Sequence, residues 1–134
     1  MTPGFPIAST LDNPAQEEVF LRKLGIRGWR RVHYFRNHFE TGWGEHQQGR
    51  SLSPRAFEAF LRFVGSVAFP ASSKKPSVFL TDSGGIELCW EDVSGHAVQV
   101  EFTRDGAEYF LGATEEEGFI AYSEMGNLSA RLSA

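Results

Sequence analysis

Residues 76–112 read PSVFLTDSGGIELCWEDVSGHAVQVEFTRDGAEYFLG, and the fold turns on how this stretch is understood. Short apolar-alternating runs are separated by three tight turns: Asp82-Ser83-Gly84-Gly85, Val93-Ser94-Gly95-His96 and Arg104-Asp105-Gly106-Ala107. That pattern predicts an antiparallel meander. Ile86, Leu88 and Trp90 fall on one face of a strand, with Glu87, Cys89 and Glu91 on the other. The next strand repeats the alternation: Val98, Val100 and Phe102 against Gln99, Glu101 and Thr103. One face therefore packs on a core and one meets water. Val78, Leu80, Tyr109 and Leu111 extend the apolar face, while Phe79 and Phe110 point to the other side.

Working outward, residues 70–76 (PASSKKP) form a linker too short to separate two domains. Before it, Ser53-Pro54 supplies helix-start chemistry, and Phe57, Phe60, Leu61 and Val64 follow at amphipathic spacing. This helix is the expected cover for Leu88, Trp90, Val100 and Phe102. Further upstream, Asn13, Pro14 and Gln16 open a helix that runs to about Leu24, with Gly25 as its natural terminator. In residues 26–39, Trp29, Val32, Phe35 and Phe39 fit a helical stripe, although the aromatic and β-branched content also suits an extended segment. Trp43, within the glycine-rich stretch 41–49, is expected to plug a core edge. Beyond the meander, residues 118–122 predict a fifth strand, and Met125, Leu128 and Leu132 a short C-terminal helix.

The expectation is a single α+β domain: two or three N-terminal helices packed on one face of a four- to five-stranded antiparallel sheet. Residues 1–12 read as a flexible arm, 13–69 as a helical half, 76–123 as the sheet and 124–134 as the C-terminal helix. A chain of 134 residues buries roughly two-thirds of its unfolded surface and needs no staples. Hydrophobic content of 41% suits a globular chain rather than a disordered one. The single cysteine, Cys89, excludes an internal disulfide and fits a reducing compartment. With no long apolar run and no secretory-type start, the expected location is the cytoplasm.

Charge is unevenly distributed. Residues 1–66 carry nine Lys/Arg against six Asp/Glu, and residues 67–134 carry four against eleven. The basic side centres on residues 22–36, where Arg27, Trp29, Arg30, Arg31 and Arg36 form a candidate interaction surface. Arginines interleaved with aromatics can hold single-stranded nucleic acid, or dock an acidic protein. The acidic side centres on Glu87, Glu91 and Glu101, a candidate surface for a basic partner.

Phosphate-loop, dinucleotide, nucleophile-elbow and H-E-x-x-H patterns do not occur. Cys89 reads as a packed side chain. His33, His38 and His46, with Glu40 and Glu45, match no standard zinc spacing. No cofactor or metal is expected, and an enzyme would need a pocket joining His33, His46 and a carboxylate.

Two pieces of the chain, Gly42-Trp43-Gly44 with Leu52-Ser53-Pro54 and the pattern P-S-x-x-x-T-x-x-G-G-x-x-L-x-W from Pro76 to Trp90, carry a resemblance. Across residues 42–103 the chain resembles a loose group of small bacterial proteins from prophage and other mobile-element neighbourhoods. The resemblance implies a helix-plus-meander fold and transfers no activity. The expected function is a non-enzymatic protein–protein interaction module, an accessory or inhibitory protein of a mobile element. The alternative is nucleic-acid binding through residues 22–36.

Overall fold

A computed structural model of the chain describes residues 14–35, 52–70, 74–81 and 83–127. Arg36, Phe39, the stretch around Trp43, the N-terminal arm with Asn13, and Leu128 and Leu132 lie outside the described residues.

The element order is α1 (Pro14–Phe35), α2 (Pro54–Ser66), β1 (Ser77–Leu80), β2 (Ile86–Glu91), β3 (Ala97–Phe102), β4 (Gly106–Leu111) and β5 (Glu116–Ala121), then a 3-10 turn at Tyr122–Glu124. The architecture is α+β, with the helices preceding a five-stranded antiparallel sheet in the order β1-β2-β3-β4-β5. Each strand pairs only with its neighbours in sequence, as short turns require. Thr81 closes the first turn: its Oγ1 accepts from the Gly85 N–H at 2.9 Å. Asp92 closes the second, its Oδ1 accepting from the Ser94 and His96 N–H groups, both at 2.9 Å. The His96 N–H contributes most to holding the Asp92 carboxyl below the usual carboxylate range.

β5 starts at Glu116, two residues before the stretch of apolar residues that predicts it. The reason is pairing rather than hydrophobicity: Leu111 faces Glu116, and Phe110 faces Glu117.

α1 is helical through residues 26–35, so the helical reading of this stretch is right and the extended one is not. Gly25 breaks the helix with φ 76° and ψ 170°, leaving two helical segments at an angle. Positive φ is open to glycine and strained for other residues, and a Cβ there would sit 3.0 Å from Lys75 Cγ. In α2, Pro54 occupies the first turn, and Ser53 Oγ accepts from the Ala56 N–H at 3.3 Å.

The core lies between α2 and the inner sheet face. Phe57, Phe60, Phe63, Ile86, Leu88, Val100 and Phe102 are each 1% exposed or less. The Phe63 ring lies 5.4 Å from Phe102 and 6.1 Å from Trp90, and Phe60 meets Phe102 edge-on at 5.9 Å. Burying each such ring contributes about 2–3 kcal/mol. Phe63 belongs to the packed face although it sits outside the narrowest i, i+3, i+4 stripe. α1 closes the β1 side through Phe20, Leu24, Trp29, Val32 and Phe35.

Lys23 joins the two helices. Its Nζ donates to the carbonyls of Val64 (2.7 Å), Gly65 (3.1 Å) and Val67 (2.7 Å), the unpaired acceptors at the α2 C-terminus. Burial, and after it the neighbouring Arg22 guanidinium, lower the Lys23 pKa from its ordinary value. Replacing Lys23 with Met removes three donors while keeping the stem. We expect a loss of about 2 kcal/mol of stability, measured by urea unfolding.

Candidate interaction surfaces

The outer sheet face is built by the strand register. Phe79 pairs with Glu87, Glu87 with Glu101, Glu101 with Glu108, and Glu108 with Phe119. One straight row thus crosses all five strands, three carboxylates wide, with a phenylalanine at each end. Phe79 is 43% and Phe119 56% exposed. Like charges directly opposite across strands are destabilising, so the row works against the fold that carries it. Ser83 Oγ donates to Glu101 Oε2 at 3.3 Å, and Cys89 Sγ to Glu87 Oε1 at 3.2 Å. Beside the row is a shallow depression of about 490 Å³, lined by Glu87, Glu101, Glu108, Phe110, Glu117 and Phe119. Phe119 reaches over Gly106, where a Cβ would lie 2.5 Å from its ring. Glycine at that position leaves room for the ring.

Of the acidic residues expected here, Glu87 and Glu101 lie in the row. Glu91 is exposed, pairs with Ala97 and sits roughly 13 Å along β2 from Glu87 by strand rise. Glu108 and Phe119 complete the row. Their part in it depends on the β3–β4 and β4–β5 registers, which the spacing of apolar residues alone does not set.

The basic candidates separate. Arg27, Arg30 and Arg31 are exposed on α1. Trp29 is a correction: at 4% exposed it is a core residue, its ring stacked on Phe20 at 5.2 Å and met edge-on by His33 at 4.5 Å. A ring on the apolar stripe of an amphipathic helix is buried with that stripe, so Trp29 offers no stacking surface. Arg31 Nη1 donates to the Val78 carbonyl at 2.9 Å, and its guanidinium lies 5.3 Å from the Phe79 ring centroid. It covers the outer edge of β1 while remaining exposed.

Among the described residues, no group of three or more His, Cys, Asp and Glu is placed to hold a metal ion. Cys89 lies on the outer face beside Glu87. Burial, then the Glu87 hydrogen bond and charge, push its thiol up to about 12. No helix of the described residues is long and apolar enough to cross a membrane. No family model, curated protein or solved structure matches the chain.

Two outcomes follow from this geometry. Glu101→Gln, which relieves repulsion from both sides, should raise unfolding free energy by about 0.5 kcal/mol, read by urea denaturation. Cys89 should react with iodoacetamide at pH 8 at least about a hundredfold more slowly than free cysteine, because so little thiolate is present. Glu87→Gln should speed that reaction.

Proposed function

We propose that this protein is a non-enzymatic protein–protein interaction module that binds a basic partner through its outer sheet face. The row Phe79, Glu87, Glu101, Glu108 and Phe119 carries the reading. It combines three aligned carboxylates, costly to the free protein, with exposed aromatic rings at both ends. A cationic partner surface offsets the repulsion, and buried aromatics supply the anchoring that interfaces use. The partner chemistry this suits is an arginine- or lysine-rich segment whose stems lie on the phenylalanines. The resemblance to mobile-element proteins supports an accessory or inhibitory role, in which such a module covers the basic surface of another protein.

The test is affinity capture from nuclease-treated host lysate, comparing wild type with the Glu87→Gln, Glu101→Gln, Glu108→Gln triple variant. The variant is expected to fold at least as stably. A stoichiometric partner retained by wild type and weakened at least about tenfold in the variant is the expected result. Equal retention by both proteins, or no partner from the host, overturns the reading.

A further inference from the structure

The basic residues of α1 do not stand alone in the fold. Two clefts, of about 520 and 660 Å³, flank the strand leading into β1 and share Lys74, Lys75, Pro76 and Ser77 in their walls. The first adds Arg22 and Lys23, and the second Arg27 and Arg31. Together they form a trough on either side of these shared residues, edged by six cationic side chains. Among the described residues, Glu91, in the first cleft, is the only carboxylate in the lining of either. Among the described residues, no carboxylate lies within ion-pair distance of Arg22, Arg27, Arg31 or Lys75.

Lys74 and Lys75 come from the acidic half of the sequence. The Gly25 break brings them to α1: Lys75 packs its stem over Gly25, and its Nζ donates to the Arg22 carbonyl at 3.2 Å. The trough also has exposed apolar surface. Ile26 is 58% exposed, and Phe79, 43% exposed, stands beside the Arg31 guanidinium. We propose that this trough binds single-stranded nucleic acid, with Arg27, Arg31, Lys74 and Lys75 on successive phosphates and Phe79 as a stacking platform for a base.

Several features favour this ligand. Arg27, Arg31 and Lys75, which have no carboxylate within ion-pair distance among the described residues, gain by neutralising phosphates. A ring next to a guanidinium suits a base face, which an acidic peptide does not offer. A duplex keeps its bases stacked inside, out of reach of Phe79, whereas a single strand presents them. The site differs from the segment 22–36 read in sequence: Trp29 is excluded and the two linker lysines are added. It shares Phe79 with one end of the glutamate row, but none of its cations belongs to that row, so the glutamate variants and the Arg27/Lys75 variant test the two surfaces separately.

The experiment is fluorescence anisotropy of the full chain with a labelled single-stranded oligonucleotide of about 12 nucleotides. The comparisons are a duplex of the same sequence and polyglutamate as competitor. Four phosphate contacts predict a slope of about −3 in log affinity against log salt, or roughly fiftyfold weaker binding at 200 mM than at 50 mM salt. The Arg27→Gln, Lys75→Gln double variant keeps an aliphatic stem over Gly25 at position 75 and should reduce the slope to about −1.4, with at least about tenfold weaker binding at low salt. Phe79→Ala should weaken binding without changing the slope. Arg62→Gln removes one charge from α2, outside the trough, and should leave binding unchanged. The proposal is overturned if nothing binds at low salt, or if polyglutamate displaces the strand as well as unlabelled oligonucleotide does. It is also overturned if the Arg27/Lys75 variant binds as Arg62→Gln does, or if the duplex binds more tightly than the single strand.

Discussion

The sheet keeps its apolar side chains on one face, and the rest of the molecule answers to the need to cover that face and leave the other in water. Alternation along β2 and β3 places Ile86, Leu88, Trp90, Val98, Val100 and Phe102 on the inside. A helix of 13 residues covers the middle of that surface but not its full width. α1 must therefore lie beside α2 and reach β1, and Lys23 fastens the pair by satisfying the carbonyls at the end of α2. The same alternation that fills the core aligns Glu87, Glu101 and Glu108 outside it. The glutamate row thus follows from the inner face being packed in only one register.

Much of this architecture is legible in the residues. The meander, its turns, the amphipathic α2 and the break at Gly25 each depend on local patterns: period two, period 3.6, and glycine where φ is positive. The fifth strand is less so. Glu116 and Glu117 look like a charged loop, and only pairing with Leu111 and Phe110 makes them a strand. Tertiary context decides there, and local propensity does not.

The surfaces are less legible than the fold. A sequence shows which residues are charged but not which of them meet. Trp29 among arginines suggests a binding platform, yet its helical position turns it toward Phe20 and the core. Lys74 and Lys75, some 40 residues or more from Arg27 and Arg31, join them only because α1 bends at one glycine and packs along β1. Glu108 joins Glu101 through a cross-strand register and not through any spacing that could be counted along the chain.

The order of elements along the chain bears on how the protein comes to be folded. Both helices precede the sheet on which they pack. During synthesis, which runs from the N-terminus, α2 emerges with Phe57, Phe60 and Phe63 before β2 and β3 exist to receive them. For that interval its aromatic face has no partner and is open to collapse or capture. The strictly sequential sheet shortens the interval: each strand needs only the one before it, so the surface is assembled by successive hairpins without long-range closure. Once Phe102 has cleared the exit, the receiving face for α2 is in place. The last two strands then widen a sheet that already has its core.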